Sequence, residues 1–172
     1  RLVETIESKF DVTCMANWEL YRLEPFRLEE ILKRSTGLII SDVEAKCFHL
    51  YPSFFDRSRR ESRVVTFPDR LIVVRDWVKN GGGLVMLGGW LSFSGSQGKG
   101  GWGRSQLSEA LPIQCMVTED LIESSAGFTP EVVEPNHPVV KGLPWETFPP
   151  IFGYNEVTAK PEGQVLVRVK ET

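Results

Sequence analysis

Two short apolar runs, each directly after a helical segment, constrain the fold more than any other feature of this sequence. The first is GLIISD at residues 37–42, and the second is LVML at residues 84–87. Neither run alternates apolar with polar residues, which is typical of parallel strands that are buried on both faces. Helices that alternate with such strands predict an open parallel sheet covered by helices. The sequence therefore predicts an α/β fold.

Apolar residues at helical spacing predict three helices. The first covers residues 2–10, and the β-rich run DVTCMA at 11–16 predicts a strand after it. The second covers residues 28–34, with acidic residues first and basic residues last, as the helix dipole favours. The third covers residues 68–80, with proline in its first turn and three glycines directly after it. This third helix should cross between the two apolar strands, which we expect to be parallel neighbours.

The remaining segments carry weaker signals. Residues 43–66 predict a long irregular connection, and the Gly- and Ser-rich residues 94–103 predict a mobile surface loop. Further along, we expect a short helix at 106–110, a strand at 113–117, a proline-rich stretch at 130–150 and a final strand at 164–169. The predicted core consists of apolar residues of the strands and of the third helix, namely Leu38, Ile40, Leu71, Val74, Val78, Val85 and Leu87.

Composition and charge exclude several classes of partner. The chain has 172 residues, of which 41% are hydrophobic and 25% charged, as in an average soluble domain. We expect one domain. The formal net charge of −3, with both signs mixed along the chain, gives no field that attracts nucleic acid. The one basic cluster, Arg57, Arg59, Arg60 and Arg63, is interpreted as a solvated loop in preference to an anion site. No apolar run reaches the length of a membrane span.

Cysteine usage indicates a reducing compartment. Cys14, Cys47 and Cys115 are far apart and form no CxxC pair, so they predict neither a disulfide framework nor a zinc site. We expect a cytoplasmic protein without metal or cofactor. The sequence starts at Arg1 inside a helical pattern and ends at Thr172 directly after an apparent strand. We therefore expect the domain to be incomplete at both ends.

Ligands of open α/β sheets bind beyond the carboxyl ends of the strands. In this chain those ends carry residues 41–44, with Asp42 and Glu44, and residues 88–93, with Gly88, Gly89, Trp90 and Ser92. The two carboxylates could hold a metal, accept hydrogen bonds from a ligand or be ordinary solvated groups. The two glycines could shape a pocket or an ordinary turn, and Trp90 could floor or block a pocket or pack beneath the Gly-rich loop.

The segment KNGGGLVMLGGWLSF at residues 79–93 closely resembles the signature of a family of cytoplasmic glutamine amidotransferase-like proteins. Three more segments resemble the same family, in the same order: LIISD at 38–42, residues 105–112 ending in EALP, and HPVVKGL at 137–143 with GYN at 153–155 behind it. The resemblance implies a flavodoxin-like three-layer sandwich of the class I glutamine amidotransferase-like type. It also implies a ligand cleft near Tyr154 and Asn155, which could equally form a structural corner.

Class I amidotransferases place a nucleophilic cysteine on a tight turn after the strand equivalent to 84–87, with glycines that let the backbone form an oxyanion hole. Here that turn reads GGWLS, with Trp90 where the nucleophile is expected, and no cysteine lies between Cys47 and Cys115. The resemblance therefore implies a relative without the glutaminase nucleophile. Ser92 could substitute only with a base, and His49 and His137 are the only histidines. We assign no catalytic residue.

Two functions stay open at this stage. The first is a non-glutaminase that binds a small molecule or serves in assembly, including as a homo-oligomer. The second is a hydrolase of a small polar or carbohydrate-like substrate, suggested by the fold of trehalose-utilisation-like families. Short contacts of Ser92 or Cys47 with a base would favour the hydrolase, and burial of both would count against it.

Overall fold

The computed structural model describes residues 2–51 and 69–170. Its helices are α1 (Leu2–Glu7), α2 (Asn17–Arg22), α3 (Pro25–Lys33), α4 (Lys46–His49) and α5 (Arg70–Lys79). Its strands are β1 (Gly37–Ser41), β2 (Gly83–Leu87), β3 (Ile113–Cys115), β4 (Leu121–Phe128), β5 (Pro130–Val132), β6 (Ile151–Asn155), β7 (Val157–Ala159) and β8 (Val167–Val169). Short 3-10 helices cover Ser96–Gly98, Trp102–Arg104, Gln106–Ala110 and Trp145–Thr147. The four arginines of the basic cluster and most of the predicted connection lie outside the described residues.

Strands β1 and β2 pair in parallel, in register from Gly37 opposite Gly83 to Ser41 opposite Leu87. This confirms the predicted pairing, and α5 lies between the two strands in the chain. The prediction that both faces are buried is wrong for the described residues. Ile39 and Val85, which are paired on one face, keep 42% and 51% of their surface exposed, so Val85 does not belong to the core. No element within residues 2–51 and 69–170 covers that face sufficiently to bury them.

Helix α5 begins at a capping side chain and ends at glycines. The Asp69 side chain caps it by accepting a hydrogen bond from the Leu71 amide at 2.8 Å. At the other end Gly81 adopts a φ of +102°, which favours glycine, and the Gly82 amide donates back to the Trp77 carbonyl at 3.0 Å. Leu71 and Val74 are fully buried, whereas Val78 packs partly buried against the core.

The core joins the inner face of the parallel pair to helices and to the glycine-rich loop. Its buried members include Leu28, Leu32, Ile40, Phe48, Leu71, Val74, Trp102 and Leu107, with Leu38 and Met86 packed partly buried against them. Leu87 is half-buried and lies outside this cluster. The mixed α/β class is thus confirmed.

The glycine-rich segment is not the mobile surface loop that its composition predicts. Trp102 is fully buried, its ring meets Phe48 edge-on at 5.5 Å, and its indole nitrogen donates to the Val43 carbonyl at 2.8 Å. A side chain at Gly100 would lie 2.6 Å from the Phe93 carbonyl oxygen. The glycines therefore let the chain fold tightly around the tryptophan.

Arg70 is also fully buried, and it donates to five backbone carbonyls. Two of them, those of Leu20 and Leu23, belong to the end of α2, and three belong to α4 and its cap, namely those of Cys47, Phe48 and Leu50. We call this arrangement the arginine clamp. A guanidinium has five N–H donors, and all five are used. The clamp joins two helices that are too short to be stable alone.

The second half of the chain consists of antiparallel pairs, β3 with β7, β4 with β6 and β5 with β8. The predicted strand at 113–117 and final strand at 164–169 correspond to the shorter β3 and β8, and the helix at 106–110 is a 3-10 helix. The predicted strand at 11–16 is wrong, because that run pairs with no described strand. No helix in the described ranges is sufficiently long and apolar to span a membrane.

Candidate functional site

The turn that follows β2, residues 88–96, is held mainly by three carboxylate or carboxamide side chains from other parts of the chain, and the Trp102 indole nitrogen also donates to its Leu91 carbonyl at 3.3 Å. We call it the strand-end turn. The three side chains are Asp42, Asp120 and Asn155. Asp42 and Asn155 are among the residues that the sequence predicts for the site, whereas Asp120 is not.

Asp42 reaches the turn because parallel pairing sets its neighbour Ser41 opposite Leu87. Its carboxylate accepts a hydrogen bond from the Leu91 amide at 2.7 Å. A side-chain carbon at Gly89 would lie only 2.5 Å from the same carboxylate oxygen, so glycine is required there while Asp42 keeps this position. The carboxyl ends of β1 and β2 therefore fix one half of the turn together.

Asn155 fixes the turn from the end of β6. Its Oδ1 accepts from the Gly89 amide at 2.8 Å, and its Nδ2 donates to the Gly89 carbonyl at 3.1 Å. The same Nδ2 donates to Asp120 Oδ1 at 2.8 Å. A side chain at Gly88 would lie 2.9 Å from Asn155 Oδ1. Asn155 thus links the antiparallel half of the protein to the parallel half.

Asp120 holds the far side of the turn and is only 1% exposed. Its Oδ2 accepts from the Ser94 amide and its Oδ1 from the Gly95 amide, both at 2.8 Å. Together with Asn155, three donors meet this buried carboxylate, as the burial of a charge requires. An isolated aspartate in the stretch TED at 118–120 gives no sequence pattern from which this role could be inferred.

Backbone strain in the described residues is concentrated at this site. The non-glycine residues with positive φ are Asp42 at 48°, Phe93 at 52° and Gln97 at 55°. Such conformations cost free energy and persist only where the surroundings impose them. The hydrogen bonds to Asp42 and Asp120 provide that constraint around Asp42 and Phe93, and the bond from the Gln97 amide to Glu119 provides it at Gln97.

The two amides on either side of Trp90 are already engaged. The Gly89 amide donates to Asn155, and the Leu91 amide donates to Asp42. An oxyanion hole requires backbone amides that are aimed at the reacting oxygen of the substrate. In this conformation the two amides are instead directed at the side chains of Asn155 and Asp42.

Trp90 and Ser92 have opposite surroundings. Trp90 is 60% exposed, so it does not pack beneath the glycine-rich loop. Ser92 is fully buried, and its Oγ has no hydrogen-bond partner among the described residues. A substrate from solution has no access to this hydroxyl, so Ser92 does not meet the condition set for a nucleophile.

Glu44 and Tyr154 make their contacts elsewhere. Glu44 forms an ion pair with Lys46 at 3.1 Å, and the Tyr154 ring packs edge-on against Phe128 at 5.1 Å between centroids. The structure thus brings Asp42, Gly88, Gly89 and Asn155 together, with Trp90 and Ser92 in the same turn. Within the described part of the chain, no hydrogen bond or ion pair joins the side chain of Glu44 or Tyr154 to the turn.

Cys47 and His49 do not form a catalytic dyad. Cys47 is 2% exposed within the core, and burial raises the pKa of its thiol, which disfavours the reactive thiolate. His49 Nδ1 lies 3.4 Å from an Asp69 carboxylate oxygen, at the start of α5. His137 Nδ1 accepts from the Val139 amide at 3.3 Å, in a local turn of the kind expected for a structural histidine.

Comparisons with known proteins place these features in a family. Residues 1–172 match the model of the family described as "Putative glutamine amidotransferase". Two solved structures resemble 98% of the chain: the cytoplasmic protein STM3548 from Salmonella typhimurium, with 30% identity and a TM-score of 0.84, and the cytoplasmic protein STM1381 from Salmonella typhimurium LT2, with 28% identity and a TM-score of 0.85. The chain spans 65% of the length of each. A search of curated proteins finds no significant match. Both structures are of cytoplasmic proteins, in agreement with the expected location.

Proposed function

Because the chain belongs to the glutamine amidotransferase-like family, we propose that β1 and β2 are part of a larger parallel sheet in a flavodoxin-like three-layer sandwich. The uncovered face with Ile39 and Val85 supports this proposal, since parallel strands normally have both faces covered. The strand-end turn then lies at the carboxyl edge of the sheet, where ligands of such folds bind.

Within that fold we propose a cytoplasmic protein that binds a small polar ligand at the strand-end turn and does not hydrolyse glutamine. The engagement of the Gly89 and Leu91 amides by Asn155 and Asp42 carries this proposal. The turn also has no cysteine, and the hydroxyl of Ser92 is buried. Covalent acyl transfer at this turn would therefore lack both an accessible nucleophile and a formed oxyanion hole.

Two exposed side chains are available to a ligand. Trp90 offers a large aromatic surface, and Asp42 is exposed while one of its carboxylate oxygens accepts from the amide of Leu91, the residue after Trp90. An aromatic face and a carboxylate at the same strand ends suit a ligand with hydroxyl or amino groups on an apolar body. This combination supports binding rather than cleavage.

A glutaminase assay with an affinity measurement tests this function. We expect no ammonia release from glutamine above the rate of a heat-unfolded sample, and no adduct with an electrophilic glutamine analogue by mass spectrometry. Ammonia release that a single substitution abolishes, or a single-site adduct on Ser92 or Cys47, would contradict the proposal.

The binding arm of the test uses tryptophan fluorescence against a panel of small polyols, amines and amino acids. A ligand of the proposed class should bind the unaltered chain and lose affinity in Trp90→Ala. Trp18→Ala is the matched control, because Trp18 is also exposed, at 65%, and lies on α2. Equal loss in both variants, or no binder in the panel, would count against a site at the turn.

The hydrolase alternative gains no support from its two candidate nucleophiles. Ser92 Oγ has no partner in the described part of the chain, and Cys47 lies in the core with Tyr21 as a hydrogen-bonding neighbour. Neither side chain is exposed to a substrate. Hydrolysis would require a different nucleophile from the ones that the sequence suggests.

A further inference from the structure

A cleft of about 420 Å³, whose lining contains no residue of the strand-end turn, lies between the 3-10 segments and β3. Its volume is in the range of small-molecule sites. Its lining includes Arg104, Glu109, Ile113, Cys115, Met116 and Lys160. None of them is among the site residues that the sequence predicts.

Two cations line this cleft without a carboxylate partner in the described part of the chain. Arg104 Nη2 donates to the Gly98 carbonyl at 3.2 Å, and Lys160 Nζ donates to the Ser108 carbonyl at 2.7 Å. A guanidinium has five N–H donors and an ammonium has three, so most of their donors are left for another acceptor. Both positive charges therefore remain uncompensated at the cleft.

The one carboxylate of the lining is already matched by other cations. Glu109 accepts a hydrogen bond from Lys79 at 2.8 Å and lies 3.5 Å from Arg75. The hydrogen bond and charge of Lys79 lower the pKa of Glu109, which stays ionised and committed to these partners. Glu109 is thus a poor competitor for Arg104 and Lys160.

The remaining lining is largely apolar and unreactive. Ile113, Met116 and Val117 provide hydrocarbon and thioether surface. Burial raises the pKa of the Cys115 thiol to about 11, so this thiol is protonated at neutral pH. A protonated thiol behaves as a small apolar group rather than as a nucleophile. The cleft is consequently suited to binding and not to covalent chemistry.

We propose that this cleft binds a small organic anion whose carboxylate or phosphate head pairs with Arg104 and Lys160 and whose apolar body lies against Ile113 and Met116. This proposal does not depend on a ligand binding at the strand-end turn. The cleft and the turn share one hydrogen bond, which the Ser94 hydroxyl of the turn donates to the Met116 carbonyl. The fork of Arg104 favours oxyanions that accept two hydrogen bonds.

Titration of the whole chain with four probes tests the proposal: hexanoate, hexyl phosphate, hexanol and inorganic phosphate. Amide chemical shifts in NMR spectra report where each probe binds. We expect saturable shifts at Gln114, Cys115 and Met116 with hexanoate or hexyl phosphate, and the better of the two identifies the head group. Hexanol should give no saturable shifts because it has no charge, and inorganic phosphate should bind more weakly than the better organic acid because it has no apolar body. Equal binding of hexanol or of inorganic phosphate, or no saturable shift with either organic acid, overturns the proposal.

Variants separate a cleft site from general charge attraction. Arg104→Gln and Lys160→Gln should each weaken binding of the better acid roughly five- to tenfold, since each removes charge-assisted hydrogen bonds. Lys141→Gln is the matched control, because Lys141 is exposed and is not part of the cleft lining. If Lys160→Gln unfolds the chain, Arg104→Gln alone decides, because Arg104 is exposed and its bond to Gly98 is long. An affinity loss in Lys141→Gln equal to that in Arg104→Gln contradicts the assignment.

Discussion

The arginine clamp and the strand-end turn both provide hydrogen-bond partners for unpaired backbone groups, but the clamp binds carbonyls and the turn binds amides. At the clamp, five carbonyls at the ends of α2 and α4 meet one buried cation. At the turn, four amides meet the oxygens of two aspartates and one asparagine. Backbone that is not paired within a helix or sheet needs such partners when it is buried. The protein thus uses positive charge for buried, otherwise unpaired helix carbonyls and mostly negative charge for turn amides.

The two regions differ in how completely they are enclosed. Every donor of Arg70 is used inside the core, which leaves no group to bind a ligand. The strand-end turn is held just as firmly on its inner side by Asp120, yet Trp90 and Asp42 on its outer side are exposed. This difference indicates that the clamp serves folding, whereas the turn combines a rigid base with an accessible surface.

Removing the clamp should have the largest effect on stability. Arg70→Met keeps most of the side-chain volume but leaves five carbonyls without their donor, so we expect a loss of about 3–5 kcal/mol in the free energy of unfolding. Arg70→Lys should be intermediate, because an ammonium has three donors. Chemical denaturation followed by far-UV circular dichroism measures both.

Arg34→Met is the control for the clamp, because Arg34 is exposed at the end of α3. Its substitution should change the free energy of unfolding by less than about 0.5 kcal/mol. A similar loss in Arg34→Met and Arg70→Met would show that the five hydrogen bonds of the clamp are not what stabilises α2 and α4.

Neutralising the buried carboxylate of the turn should have the next largest effect. Asp120→Asn retains the shape, but its amide group presents donors to Gly95 or Asn155, which already donate. We expect a loss of about 2–3 kcal/mol in the free energy of unfolding, the cost of opposing buried donors. Thermal and chemical unfolding measure it.

Glu119→Gln is the neighbouring control for the turn. Glu119 accepts one hydrogen bond from the Gln97 amide at 2.8 Å, but at an exposed position where water can replace it. We expect a change below about 1 kcal/mol. If Glu119→Gln destabilised the chain as much as Asp120→Asn, the burial of Asp120 would not be the reason for its effect.

The sequence predicts those parts of the fold whose cause is local. β1, β2, α3 and α5 follow from apolar spacing, capping residues and glycine stops, which neighbouring residues determine. The unpredicted β4, β5, β6 and β7 depend on partners far along the chain, and the strand predicted at 11–16 is wrong because it has no such partner among the described residues. A β-rich run becomes a strand only when such a partner is present.

The site shows the same division. Asp42 and Gly89 follow from their place after parallel strands, and Asn155 follows from the family resemblance. Asp120 and Arg70 do not, because a single charged residue in a sequence looks like a solvated one. Their burial becomes visible only once the fold brings backbone amides or carbonyls around them. The burial of Trp102 is not predicted for a related reason, since the glycines around it are typical of a mobile loop.

The close approach of Gly89 to Asp42 allows a test of whether the position of Asp42 requires glycine at position 89. Gly89→Ala would place a methyl carbon 2.5 Å from the Asp42 carboxylate and force it away from the Leu91 amide. We expect Gly89→Ala to cost about 1–3 kcal/mol, because a small group enters a packed site. Asp42→Ala alone should cost about 1 kcal/mol for the lost hydrogen bond.

The double variant distinguishes this contact from general damage to the turn. When Asp42 is replaced by alanine, the methyl group added at position 89 has no carboxylate to clash with. The double variant should therefore lose less stability than the sum of the two single variants. We expect a coupling of about 1 kcal/mol between the two substitutions, in the range found for residues in direct contact. Gly88→Ala combined with Asp42→Ala is the matched control, because a side chain at Gly88 would meet Asn155 at 2.9 Å instead. Additive losses in the Gly89 pair, or equal coupling in both pairs, would mean that Asp42 does not require glycine at position 89.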